Sequence, residues 1–600
     1  MKELEYPFDG DLILQKAKRL KRELLAQDTP RLKKKIAMLG GSTTHDILRV
    51  LELFLLQEGI EPEFYESEYA AYWQDGMFPG EELSSFAPDL ILVHTTRVNL
   101  PRTPRVTDTP EAAEEAYAES LSHFTSLWDS LEAHFHCPVI QNNFEYPPVR
   151  LLGNRDAVDP RGLTAFVSRM NAAFAAEAAK RESLYLCDIN YLSARIGLDV
   201  WDDPVYWHMY KYALSMQAIP QLAYQYACLI RAIYGKNKKA LVLDLDNTLW
   251  GGIVGDDGPD GLEIGQETSL GQLYHAFQGY VRAHRDLGVM LAVDSKNDPE
   301  NALAGLNHPD GVLRPEDFVC IRANWEPKSR NFGEIAAQLG ILPESMVFVD
   351  DNPAERLIVA QEYPGAAVPE LGEPATYIRT LDHAAYFENI TLSEDDLRRG
   401  EMMRENVLRR AAQESFTDYG EYLRSLQMTA RIAPFEELYY PRIAQLTNKS
   451  NQFNVTTKRY TVEEIRQAAE DPERITLYGR LEDRFGDNGI VALTVGRIVT
   501  ADDGVRELVI ELFLMSCRVL KRDMEFAMRD ALIDAALARG VGRITGTYLP
   551  TAKNRMVAEL YEQFGFTRLS AEADGSTYWS LSLDPPPAKL NRYIMVECAG

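Results

Sequence analysis

The 600-residue chain is predicted to be an α/β multidomain protein, on three observations. Short apolar strands alternate with helical stretches through residues 32–234 and again through 240–385, the pattern of parallel sheets flanked by helices. From about residue 428 the pattern changes to strand-rich segments around one long helix at 523–539, as in an α+β unit. The length itself calls for about three or four domains, because single cores stop growing well below it.

The elements follow in chain order. Residues 10–27 carry Leu12, Leu14, Ala17, Leu20 and Leu24 at helical spacing. KKKIAMLGGSTTHDILRVLELFLLQEG then reads as a strand, a glycine turn and a helix, with further strands at 89–96, 137–144 and 184–190. A helix near 208–234 closes this first unit, residues 1–235. The second unit, 236–390, has strands at 241–246, 289–294, 317–321 and 346–350. Residues 391–427 read as a charged helical connector. The third unit, 428–600, contains DNGIVALTVGRIVT, ELVIELFLMS and RITGTYL, and ends past Pro585-Pro586-Pro587, which stops regular structure.

Composition excludes several classes. A net charge of −27 opposes general nucleic-acid binding and adhesion to anionic membranes. The basic run from Lys16 to Lys35 reads as a solvated helix face or as a docking patch for an acidic partner. The 6 cysteines form no CxxC pair, so neither a zinc site nor a disulfide framework is indicated, and a reducing cytoplasm fits. No signal peptide and no membrane-length apolar run are seen.

The segment LVLDLDNTLWGG carries the most chemistry. Its strand ends in Asp244 and Asp246, which alternation places on one face at the carboxyl end, where open α/β sheets bind ligands. Adjacent carboxylates repel and ionise best around a cation, and oxygen-only donors suit Mg²⁺. Three later segments stand in order: LAVDSKND with Ser295, EPKSRNFGEIAAQLGI with Lys328, and MVFVDDNPAER with Asp350 and Asp351.

This ordered set resembles the haloacid dehalogenase (HAD) superfamily. The resemblance implies that Asp244 attacks phosphorus and that Asp246 acts as the acid and base. It further implies that Ser295, Lys328, Thr248 and Asn297 hold the phosphoryl group, and that Asp244, Asp246, Asp350 and Asp351 bind Mg²⁺. The gaps between these motifs leave no room for an inserted cap domain, only for a flap at GGIVGDDGPDGLEIG. An open site suits a substrate attached to something large.

LDNTLWGGIVGDDG, SKNDP, FVDDNPAER, QLTNKSNQFNVTTKRYT and DRFGDNGIVA resemble the FkbH-like branch more closely. That resemblance implies removal of phosphate from 1,3-bisphosphoglycerate or a related phosphorylated acyl substrate. The glyceryl group is then loaded onto the phosphopantetheine arm of an acyl carrier protein, for polyketide-type assembly. One position departs: Asp294 stands where the branch usually has the cysteine that carries a thioester. Transfer then goes directly to the carrier thiol, uses another cysteine such as Cys320, or does not occur. A phosphatase without acyl transfer and a non-catalytic scaffold are the alternatives.

The third unit resembles the GNAT acyltransferase fold, but its coenzyme A turn reads Arg518-Val519-Leu520-Lys521-Arg522-Asp523, without glycine. Arg518, Lys521 and Arg522 are the candidates for a carrier or coenzyme arm. Asn448, Asn451, Gln452 and Asn454 either line a cleft or cap a helix. In the first unit, GGST resembles the nucleophile turn of SGNH hydrolases. Ser42, Asn99, Asp203 and His208 would form such a site, or the unit is a binding scaffold.

Overall fold

The computed structural model describes residues 1–27, 29–390, 405, 409, 412–413, 416, 418–450, 452–501, 503–516, 519–551 and 553–598. The predicted connector at 391–427 lies mostly outside them. The chain forms two compact units, Met1–Ile233 with Thr461–Glu464, and Tyr234–Tyr460 with Ile465–Gly600. Among the described residues there are three sheets.

The first unit holds a parallel sheet of five strands, β1 Leu32–Gly40, β2 Ile60–Glu66, β3 Leu90–His94, β4 Val139–Asn142 and β5 Leu184–Cys187. Their order is β2-β1-β3-β4-β5. All five residues of β3 are buried, as near-continuous apolar runs require in a sheet covered on both faces. Phe124, Phe144 and Phe174 pack edge-on or tilted in the core over one face. The chain leaves β1 for β2 on one side and returns to β3 on the other. This puts a topological switch point between β1 and β3.

The second unit begins with β6 Ala240–Leu243, β7 Met290–Ser295, β8 Cys320–Ala323 and β9 Met346–Val349, a parallel sheet in the order β8-β7-β6-β9. Its switch point lies between β6 and β9. Every residue of β6, β7 and β9 is buried. The strands are shorter than the sequence pattern suggests at 241–246, because the chain turns at Asn247, which sits at φ 55, a left-handed conformation that asparagine tolerates. Between Gly251 and Glu263 a pair of backbone hydrogen bonds (3.0 and 2.9 Å) closes a small flap. No inserted domain separates the strands among the described residues.

The same unit contains a nine-stranded sheet: β10 Thr429–Ala433, β11 Phe453–Asn454, β12 Arg474–Asp483, β13 Gly486–Thr500, β14 Arg506–Met515, β15 Arg543–Tyr548, β16 Thr567–Ala571, β17 Thr577–Ser582 and β18 Met595–Cys598. β12, β13 and β14 are antiparallel, whereas β15 joins β14 in parallel through the helix Met524–Ala538. β14 loses register at Glu511, where Val495 pairs Leu512 and Gly496 pairs Ile510. β14 and β15 pair only from Glu507 to Val509 and then diverge. The opening is filled from within. Phe453 and Asn454 pair with Met515 and Leu514, Val455 N–H donates to Phe513 O at 3.2 Å, and Leu549 N–H donates to Val455 O at 2.9 Å.

Candidate functional site

Parallel register aligns the ends of three strands. Leu243 is level with Val293 on β7 and Val349 on β9, so Asp244, Asp294 and Asp350 form a row across the sheet. Asp244 and Asp350 flank the switch point. Lys328, the first residue of the helix Lys328–Leu339, reaches both: its Nζ lies 2.9 Å from Asp244 Oδ1 and 2.5 Å from Asp350 Oδ2. One donor oxygen from each of Asp244, Asp350 and Asp351 lies within 4.8 Å of the others. Such a set of hard carboxylate oxygens fits a small divalent cation.

The electrostatics follow from burial and crowding. Burial depresses the Lys328 ammonium, but the charges of Asp244 and Asp350 prevail and hold its pKa above the usual lysine value. Burial and the Asp244 charge push Asp350 up to about 6, against the pull of Lys328. Asp351 is raised by burial and then by Asp244. Thr248, fully buried, accepts the Asp351 N–H at 3.2 Å, and Asn352 N–H caps Asp350 Oδ1 at 2.8 Å. Arg356 donates to the carbonyls of both Asp350 and Asp351 at 2.7 Å.

Asp246 stands apart from the metal-type cluster. Its Oδ1 accepts from Trp250 Nε1 at 2.9 Å and from Val254 N–H at 3.1 Å, and its Oδ2 accepts from Asn297 Nδ2 at 2.9 Å. Burial raises its pKa, with the Asp244 charge adding to the shift. The four carboxylates expected to share a cation thus narrow to three, because the oxygens of Asp246 are already taken up. Asn297, expected on the phosphoryl group, is instead a holder of Asp246. Trp250 was not among the sequence candidates; its position four residues after Asp246 in a turn is the signal. Its indole is fully buried, and a Cβ on Gly305 would come within 2.7 Å of it. Ser295, 1% exposed, ends β7 beside this cluster.

Asp294 is fully buried, accepts from Asn331 Nδ2 at 3.1 Å through Oδ1, and has no partner at Oδ2 among the described residues. Burial pushes its carboxyl up to about 8, against Asn331 and Lys328. Cys320 lies at the opposite end of β8 from the site, buried, with its thiol donating to Gln338 Oε1 at 3.0 Å. Burial raises that thiol's pKa.

The other candidates are placed differently. Arg518 and Asn451 lie outside the described residues. Arg522 is buried and turned inward, 3.2 Å from Asp483 Oδ2 and 3.3 Å from Asn488 Oδ1, and burial lowers its pKa to about 10. Lys521 is exposed. Asp523 (φ 63) precedes the helix, where phosphate would sit, and burial pushes nearby Glu525 up to about 7. Two carboxyls at that terminus disfavour an anion. Asn448 donates to Ala444 O and Tyr460 O, and Asn454 accepts from Thr456 and Thr457, so both serve their own backbone. Gln452 is partly exposed.

In the first unit Asn99 Nδ2 donates to Gly41 O at 2.8 Å, which brings Asn99 beside the Ser42 turn. Ser42 is 2% exposed, with a buried hydroxyl that has no partner among the described residues. Asp203 does not orient His208. It caps the helix Pro204–Tyr210 through Val205 N–H and Tyr206 N–H, and His208 is exposed. The triad expected there is not assembled.

Residues 35–230 match the family model of the FkbH N-terminal domain. The chain is similar to the N-terminal part of BF1531 from Bacteroides fragilis, a structure containing a phosphatase domain complexed with Mg. The two share 28% identity at a TM-score of 0.58, over 62% of this chain and 99% of that one. The GNAT domain of S. lividans PAT matches 25% of this chain and 89% of its own at 15% identity and TM-score 0.21. The ribosomal-protein-S18-alanine N-acetyltransferase of Escherichia coli matches 28% of this chain and 99% of its own at 17% identity and TM-score 0.20. No curated protein matches the sequence. Residues 35–230 thus match the FkbH N-terminal domain, and the chain is similar in fold to a structure that contains a phosphatase domain. No helix among the described residues is long and apolar enough to cross a membrane.

Proposed function

We propose that the chain is a Mg²⁺-dependent phosphatase of acyl phosphates such as 1,3-bisphosphoglycerate that delivers the freed glyceryl or related hydroxyacyl group to an acyl carrier protein. The observation that carries the phosphatase reading is the cluster of Asp244, Asp350 and Asp351 beside Lys328, with Asp246 held separately. The B. fragilis neighbour was crystallised with Mg, and the three carboxylates would hold the same ion here. When bound, Mg²⁺ supplies charge neutralisation on the phosphoryl oxygens.

The chain's own residues supply the rest. Asp244 attacks phosphorus, forming an O–P bond as the bond to the leaving oxygen breaks. Asp246, whose pKa is raised by burial, gives its proton to that oxygen and later takes one from water. Lys328 and Ser295 steady the phosphoryl oxygens. With Asp294 unable to hold a thioester and Cys320 buried in the sheet, the carrier thiol attacks the acyl carbon directly. The C–S bond forms as the C–O bond to the acyl phosphate breaks and inorganic phosphate leaves, while Asp244 and Asp246 remove the phosphate ester at the other end of the bisphosphate.

A second reading, phosphatase without transfer, is favoured by the same Asp294. Incubation of full-length chain with Mg²⁺, 1,3-bisphosphoglycerate and a carrier protein separates the two. Phosphate release with a glyceryl adduct in the carrier's intact mass supports the first. Carrier-independent release without any adduct leaves the second, and an Asp244→Asn variant as active as wild type overturns both.

A further inference from the structure

One donor to Asp246 Oδ1 adjoins an exposed apolar side chain in sequence, and the donor to Oδ2 is linked to another through its neighbour Asp298. Val254 N–H, on Oδ1, follows Ile253, which is 45% exposed. Asn297, on Oδ2, precedes Asp298, whose Oδ1 accepts the indole N–H of Trp325 at 2.9 Å. Trp325 is 70% exposed, although Trp250, four residues from Asp246, is fully buried. A tryptophan left in water forgoes a large burial gain, and here its ring is anchored rather than loose. It lies on the segment between β8 and the helix that starts with Lys328. The aromatic face, the phosphoryl-holding lysine and the proton-transfer carboxylate are therefore tied into one framework at the carboxyl end of the sheet.

We propose that Trp325, with Ile253 across Asp246, contacts the organic group of the phosphorylated substrate. The pair selects phosphorylated substrates whose organic group is large enough to reach it, a glyceryl or longer acyl chain included, over minimal ones. Asp298 is a positioning residue that fixes the indole. This rests on the phosphatase reading above and adds the substrate class to it.

The test compares benzoyl phosphate with acetyl phosphate, both hydrolysed by full-length chain with Mg²⁺. Trp325→Ala is expected to lower the ratio of kcat/KM for benzoyl over acetyl phosphate roughly 10-fold, mainly through KM. Trp325→Phe should restore most of it, and Asp298→Ala should fall between. An unchanged ratio in Trp325→Ala, or equal losses on both acyl phosphates, overturns the assignment while leaving the phosphatase reading standing. Wild-type chain that releases phosphate from neither acyl phosphate overturns both.

Discussion

The crevice past the carboxyl ends of β6 and β9 and the opening between β14 and β15 are both places where adjoining parallel strands part. They are settled in opposite ways. At β6 and β9, carboxylates from two strand ends are gathered around Lys328, in a cluster whose oxygens fit a cation. At β14 and β15, the chain supplies its own strand: Val455 pairs on both sides, and Asn554 Nδ2 ties down Asn454 O at 2.9 Å. One opening is kept for a ligand at an electrostatic cost. The other has its backbone groups satisfied, which favours stability and leaves no row of free groups for an extended arm.

The contrast breaks most sharply at Asp244. Asp244→Asn should reduce phosphate release by about 1,000-fold or more, with an unchanged circular dichroism spectrum. Lys328→Met leaves Asp244 and Asp350 buried against each other. We expect a loss of about 3 kcal/mol in denaturant titration without metal, smaller when Mg²⁺ is present.

Asp294 sharpens the cost side. Its carboxyl titrates near 8 in the folded chain, above its unfolded value, so folding favours the protonated form. That contribution is fully present below about pH 4 and is lost as pH rises through about 8. Asp294→Asn has no proton to lose. Its melting temperature relative to wild type should therefore climb between pH 5 and pH 9, and a parallel pair of curves would contradict the burial argument.

The filled opening predicts smaller effects. Titration of wild-type chain with acetyl-CoA should give no saturable heat below about 1 mM. Asn554→Ala should cost about 1–3 kcal/mol and speed hydrogen exchange at Leu549. Tight acetyl-CoA binding would dissolve the contrast altogether.

The sequence made the phosphatase cluster legible because each of its groups ends a strand or starts a helix in an apolar pattern that fixes its direction. Asp244, Lys328, Asp350 and Asp351 come together as that pattern requires. The partners of Asp246 were less legible. Asn297 looked like a phosphate ligand, and its role depends on a side-chain rotamer that no periodicity encodes. The strand at Phe453–Asn454 was hidden for a different reason: only two residues pair, with partners some 60 positions away. The reading of Asp203 with His208 failed because a carboxylate before a helix is satisfied more locally by the helix's own amides.

Gly305 bears on descent. It lies on a helix that offers no group to the phosphoryl cluster, yet a methyl there would press into the Trp250 indole that steadies Asp246. Positions 250 and 305 are thus expected to drift through related genes as a pair, a larger residue at one tolerated only beside a smaller one at the other. A lineage that keeps glycine at 305 has kept the means of holding its acid.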